Sequence, residues 1–420
     1  MASTRFIILI ICTLLVSAEQ SPKLSLTDIN VLAIIKDTLI DLPGSTFFST
    51  WDFTAPDPCS SFTGLTCALS PPSSDTLRVT TLELGTGVSG TLGLAGTLPE
   101  AITELTELTQ LILNPGLVTG PIPTQLGRLK NLRVIFLSHN RLTGPIPSSL
   151  VELTQLHTID FSFNRLTGPI PPSLLTDIPN LKILILASNQ LTGNIPDTST
   201  SPNSLFHLDL KCNRLVGPIP TTLPLTLRYV SLSQNLMWGP INGSILKALP
   251  DLSYLDLSYN QFSGSLPTSF FRPTLSTLLL NHNNFSGIVS SDSDTDTISR
   301  SPAPYPEGAA VDLSHNGFYG RLPDAVAGAE NIFLNNNRFS GPVPDVYAYG
   351  VKDGRIKTLY LQHNFLDKFP KNVGPSLPDN VEVCLAYNCM VPPLGLDLCP
   401  TSVDGKVSRP ATQCSVFHNG

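Results

Sequence analysis

Charge is scarce in this chain. Asp, Glu, Lys and Arg make up 14% of its 420 residues, and 25 basic side chains face 32 acidic ones for a net −7. A protein that displaces counterions from a phosphate backbone needs a basic surface, so this composition argues against nucleic acid as a partner. Long apolar runs are absent beyond residue 16, and the ending RPATQCSVFHNG has no hydrophobic tail for lipid anchoring, so no membrane span is expected. CxxC pairs are missing, with seven, four, nine and fourteen residues between successive cysteines of the two clusters; a zinc site is therefore not expected. There is no paired-carboxylate site, no kinase motif set and no recurring nucleophile, base and orienting group, so neither an enzyme nor a cofactor is expected. Pro 38 and Gly 29 together are about a sixth of the chain, below the level of a disordered polypeptide.

What is present begins with an address. Arg5, the apolar run Phe6 to Val16 and the small residues of Val16-Ser17-Ala18 read as a secretory signal over residues 1–18, with cleavage after Ala18. Cysteine use fits the oxidising compartment beyond it. Cys59 and Cys67 lie near the start, Cys384, Cys389, Cys399 and Cys414 near the end, and Cys212 stands alone. One bridge in the first cluster and two in the last, in one of three connectivities, would staple two caps and leave Cys212 a free thiol.

The dominant signal is an internal repeat. LRVIFLSHNRLTGPIP (132–147), LHTIDFSFNRLTGPIP (156–171), LKILILASNQLTGNIP (181–196), LFHLDLKCNRLVGPIP (205–220), LSYLDLSYNQFSGSLP (252–267) and NIFLNNNRFSGPVP (331–344) are one unit. Its landmark Asn falls at 140, 164, 189, 213, 235, 260, 283, 316, 337, 364 and 388, a period near 24. The pattern LxxLxLxxNxLxGxIP at that period is the signature of a leucine-rich-repeat solenoid. The two leucines of LxL point inward and the residue between them outward, because side chains alternate along a strand. Stacked strands then make a parallel sheet over a continuous core, and the buried Asn satisfies backbone groups where the chain turns away. The expected fold is an α/β repeat solenoid of about twelve such repeats. The divisions are a signal at 1–18, an N-terminal cap at 19–80, a solenoid at 81–380 and a Cys-rich C-terminal cap at 381–420.

The LxGxIP tail resembles the plant-specific class of leucine-rich repeats found in receptor-kinase ectodomains, receptor-like proteins and polygalacturonase inhibitors. LSLTDINVLAIIKDTL, Trp51-Asp52 and DPCSSFTGLTC are similar to the N-terminal cap of that class. The ending from Cys384-Leu-Ala-Tyr-Asn-Cys389 resembles secreted repeat proteins without a kinase, and the CLxxNC cap of leucine-rich-repeat extensins. Two departures stand out. Polygalacturonase inhibitors carry four cysteines in the first cap where this chain has two, and the extensins continue into a Pro-rich tail. The resemblance implies a secreted recognition protein in the extracellular space or cell wall. Its partner would be an extracellular peptide or protein, a wall polysaccharide or a receptor kinase, in signalling or defence. The alternatives are an inhibitor of a wall-degrading hydrolase and a structural wall-docking protein.

Other motifs are read as by-products of the repeat. Asp292-x-Asp294-x-Asp296, in a polar insertion at 290–308, has Thr297 and Ala303 where a calcium loop needs Gly and Glu, so it reads as a solvated loop. Gly85-x-Gly87-x-x-Gly90 lacks the helix a dinucleotide fingerprint requires. His139, His282, His315 and His363 share one slot, the residue before the landmark Asn. Asn242-Gly-Ser244 and Asn284-Phe-Ser286 are N-glycosylation sequons.

Binding is expected on the concave sheet, where the mid-strand positions are Ile112, Phe136, Asp160, Ile185, Asp209, Ser231, Asp256, Leu279, Asp312, Phe333 and Tyr360, with Tyr229 and Tyr254 in the adjoining column. Acids on every second strand from Asp160 to Asp312 would stand about 10 Å apart. Bracketed by Phe136, Phe333 and Tyr360, they suit an extended ligand with basic groups and apolar anchors. The competing reading is that an LDLS aspartate only bonds locally.

Overall fold

The computed structural model describes residues 22–69, 75–85, 93–198, 204–243, 245, 248–266, 268–289, 304–371, 377–393, 399 and 408–414. The signal segment, the Asp292–Asp296 run, Gly87, Gly90 and Ser244 lie outside the described residues.

From Val134–Phe136 onward each LxL segment contributes a three-residue strand, and the strands stack in sequence order into one sheet of 15, from Lys23–Leu24 to Glu382–Cys384. All neighbours are parallel except Leu65–Leu69, which runs antiparallel to Thr76–Leu84. Ile135 and Leu137, Ile159 and Phe161, and Leu184 and Leu186 are fully buried, as the alternation requires. The register is strict: Phe136 faces Asp160, Asp160 faces Ile185 and Ile185 faces Asp209. The mid-strand positions therefore form one continuous row along the solenoid.

Twelve repeat tails and the cap strand Leu39–Asp41 form a second sheet of 13 strands, an element the periodicity alone does not reveal. Its strands, such as Arg141–Gly144 and Gln190–Gly193, begin at the residue after the landmark Asn. Here the register slips two residues per strand, so Thr143 faces Arg165 and Thr167 faces Gln190. Gly144, Gly168 and Gly193 each hold φ near +80°, a conformation that L side chains rarely adopt. The inward residue of this sheet is Leu in early repeats and Phe later. Phe262, Phe285, Phe318 and Phe339 stack with ring centroids 6.0 to 6.3 Å apart, an apolar spine inside the wall.

The outer curve carries few α-helices. Short 3-10 turns such as Thr124–Arg128 and Ser148–Glu152 follow Pro123 and Pro147, whose missing N–H has no ladder to break there. The longest helix among the described residues, Leu26–Thr38, belongs to the N-terminal cap. There Trp51 is fully buried and stacks on Phe62 at 5.1 Å. Buried Asp28 pairs with Arg78 at 3.0 Å and accepts the Val79 amide at 2.8 Å, joining the helix to the first long strand. Bridges join Cys59 to Cys67, Cys384 to Cys399 and Cys389 to Cys414, and Cys212 is free.

Candidate ligand-binding face

The face is held in place by the asparagine ladder. Asn164 Nδ2 donates to Leu137 O of the preceding repeat at 2.9 Å and to Phe161 O and Ser162 O of its own turn at 3.1 and 3.2 Å. Its Oδ1 accepts the Leu142 amide of the preceding repeat at 2.9 Å. The same arrangement recurs at Asn213, Asn260, Asn337 and Asn388. One amide thus closes its own turn and clamps the neighbouring unit, which fixes strand spacing and register.

The residue before each landmark Asn is left-handed, with φ between +53° and +59° at His139, Phe163, Ser188, Cys212, Gln234, Tyr259, His282, His315, Asn336, His363 and Tyr387. The side chains in this slot vary widely, but the backbone there is tightly specified. The slot forms a ladder of its own along the rim. His139 stacks on Phe163 at 4.3 Å, Tyr259 on His282 at 4.3 Å and His282 on His315 at 4.0 Å, and the Cys212 thiol donates to Gln234 Oε1 at 2.9 Å. Burial lowers the His315 pKa, and the charges of His282 and His363 push in the same direction.

The mid-strand acids bond locally. Asp160 Oδ1 accepts the Ser162 amide and hydroxyl at 2.9 and 2.6 Å, and Asp256 Oδ1 accepts those of Ser258 at 3.0 and 2.6 Å. Asp312 accepts the Ser314 amide at 2.9 Å, and burial raises its pKa against that bond. Asp209 accepts the Lys211 amide at 3.1 Å and pairs with Lys211 Nζ at 3.0 Å. The expectation that all four face solvent needs correction. Asp209 and Asp256 are only 6% and 8% exposed, because the carboxylate folds back onto the turn two residues on and stands beside the Tyr229 and Tyr254 rings.

The aromatics fall into two groups. His207, Tyr229 and Tyr254 occupy one position on three successive strands and stack nearly parallel, with centroids 4.1 and 4.2 Å apart. Burial, with the charge of Asp209, raises the Tyr229 pKa, and burial beside Tyr229 and Asp256 raises that of Tyr254. At the far end Phe333 meets Tyr360 edge to face at 5.2 Å. The Tyr360 pKa is pushed up to about 12 by burial and its bond to Glu382. Phe136 stands in the same row near the other end, five strands before Asp256, half-buried. Asn284 is exposed on the second sheet, and Asn242 is also exposed.

One row escaped the sequence reading. The residue that enters each strand is stitched to its counterpart by backbone bonds, His157 N to Arg133 O, Lys182 N to His157 O, Phe206 N to Lys182 O and Arg228 N to Phe206 O, at 2.8 to 3.0 Å. Arg133, Lys182, Phe206 and Arg228 are exposed there, with His157 half-buried among them. Burial lowers the His157 pKa, and the charges of Lys182 and Arg133 lower it further. The signal is present in the sequence as the second letter of each LR, LH, LK, LF and LR pair.

A family model described as Leucine Rich Repeat matches residues 131–153, 155–176, 180–201 and 251–272. The chain is 31% identical over 124 residues to receptor like protein 28 of Arabidopsis thaliana, covering 29% of this chain and 14% of that protein. Among solved structures it is similar to the plant peptide hormone receptor RGFR1 in complex with RGF2, with TM-score 0.60 and 29% identity over 75% of this chain and 49% of that one. It is also similar to a plant ice-binding protein, with TM-score 0.53 and 28% identity over 72% of this chain and 90% of that one. The chain thus spans a small part of that receptor like protein and about half of that peptide hormone receptor. No helix among the described residues is long and apolar enough to cross a membrane.

Proposed function

We propose that this chain, a plant-type leucine-rich-repeat solenoid with disulfide-bridged ends, is an extracellular recognition protein that holds an extended peptide or protein segment along its long sheet, without chemistry of its own. The observation that carries this reading is the unbroken row of in-register mid-strand positions, bounded by Phe136 at one end and the Phe333–Tyr360 pair at the other. Such a row offers a periodic, preorganised surface with aromatic anchors, which suits an extended ligand. The likeness to a peptide hormone receptor supports it. Asp160, Asp209, Asp256 and Asp312, with Tyr229 and Tyr254, are proposed as the polar floor of the same site.

Panning a displayed library of unstructured peptides against the mature protein tests this. Binders should be weakened by Phe136→Ala and Tyr360→Ala and be indifferent to changes on the second sheet. Loss of a microbial pectinase activity on adding the protein, with no such peptides recovered, would favour the hydrolase inhibitor. Retention on wall material through a high-salt wash would favour structural docking.

A second reading is favoured by the second sheet. Thr97, Thr119, Thr143, Thr167 and Thr192 are exposed on five successive strands, a regular hydroxyl and methyl array, and one structural neighbour is an ice-binding protein. Thermal hysteresis lost in a Thr143→Tyr, Thr167→Tyr variant would support it. A native protein without hysteresis would end it.

A further inference from the structure

We infer that the ligand docked along the long sheet presents acidic side chains to the strand-entrance row of Arg133, Lys182 and Arg228, and is therefore an acidic peptide segment. This rests on the reading of that sheet as the binding face and adds the sign of the ligand. Three observations carry it.

The first is the row itself. The three cations sit on alternate strands, which at a strand spacing near 4.8 Å puts them about 10 Å apart. None of them has an ion-pair partner among the described residues. His157, set between two of them, feels both charges.

The second is the state of the acids. Asp209 is neutralised by Lys211, while Asp160 and Asp256 each spend one oxygen on a serine two residues on, and Asp209 and Asp256 are almost wholly covered. Arg133, Lys182 and Arg228 are exposed where Asp209 and Asp256 are covered, and Asp160 and Asp312 are half-buried and bonded to the serine two residues on.

The third is the orientation of the rings. His207, Tyr229 and Tyr254 spend their faces on one another. Four of the six ring faces are thereby taken up by neighbouring rings, so few electron-rich faces remain for a cation or a sugar ring.

The spacing adds a prediction about sequence. A peptide in the extended polyproline II conformation rises about 3.1 Å per residue and returns to the same side every third residue, so acids at every third position match cations about 10 Å apart. The probe is a seven-residue-scale peptide with Glu at every third position and Gly between, carrying an uncharged fluorophore, read by anisotropy at low ionic strength. A Lys-for-Glu version, a version with Glu at every second position and a galacturonate oligomer serve as competitors. The full chain should bind the first probe best. Arg133→Gln, Lys182→Gln and Arg228→Gln together should weaken it about tenfold, as three exposed charge pairs imply. Arg141→Gln, Arg165→Gln and Arg214→Gln on the second sheet should change nothing. Equal losses in both triple variants, or a Lys probe that binds better, would overturn the proposal. If the galacturonate oligomer outcompetes the peptide with the same dependence on the row, the ligand class is overturned. If the Lys probe binds and Tyr360→Ala weakens it, the face stands and only the sign falls; if no probe responds to this face, both readings fall.

Discussion

Replacing Asn164 by alanine isolates the clamp between two repeats. The side chain is only 8% exposed, and its loss removes the acceptor of the Leu142 amide, whose residue is fully buried. The three carbonyls fare better. Leu137 O keeps a 3.4 Å contact from Asn140, Phe161 O keeps the 2.9 Å bond from Asn189, and Ser162 O keeps the His139 amide. One fully orphaned buried N–H costs about 1–3 kcal/mol, and three weakened carbonyl bonds add about 0.5 kcal/mol each, so the expected loss is about 2.5–4.5 kcal/mol. Asn164→Asp should be no milder, since it keeps the acceptor but turns an oxygen toward the three carbonyls. Asn180→Ala, which removes one exposed bond to Thr154 O, should cost under about 1 kcal/mol. Urea unfolding gives the totals, and hydrogen exchange at Leu142 reads the local event, where the amide should open far more readily than amides in distant repeats. If Asn164→Ala falls within about 0.5 kcal/mol of Asn180→Ala, the ladder is not what holds neighbouring repeats in register.

Four further outcomes are expected. Cys59→Ser with Cys67→Ser should lower stability by about 2–3 kcal/mol through loss of a short closed loop, measured by thermal unfolding of both forms. Titration of denatured, unreduced protein should find about one thiol; Cys212→Gly should be neutral or slightly stabilising, whereas Cys212→Val should cost more than about 1 kcal/mol in its left-handed slot. Burial holds His157 and His315 below the ordinary imidazole value of 6.5, so the folded state favours their neutral forms; the stability this gives is present above about pH 6.5 and is lost as pH falls through the lowered values. Melting scans from pH 7.5 to 5 should therefore slope less in a His157→Gln, His315→Asn variant, and an unchanged slope would refute the assignment. Asp160, Asp209, Asp256 and Asp312 changed together to Asn should leave the fold intact, since each amide oxygen still reaches the turn, whereas Phe333→Ala should cost a captured peptide ~1–3 kcal/mol, mainly in dissociation, with little salt dependence.

The solenoid, its strands, the landmark asparagines and the mid-strand row are legible in the amino-acid order, because each repeats with a short period and depends on which residue type can be buried at one place in a unit. Ile135 and Leu137 are inside and Phe136 outside for a reason contained in three letters. The LxGxIP tail was equally legible as a motif, but not as a second sheet, since nothing local says that Arg141–Gly144 pairs with its neighbour. Only the tertiary structure decided what the outward row does. Whether Asp209 meets solvent depends on Lys211 and on rings contributed by adjacent repeats, and whether Tyr229 offers a face or an edge depends on His207 and Tyr254, 22 and 25 residues away. Stacking along the solenoid axis places residues a full period apart in contact. Charge pairing, ring orientation and the exposed cation row at Arg133, Lys182 and Arg228 are therefore properties of neighbouring units taken together, and a single repeat does not carry them.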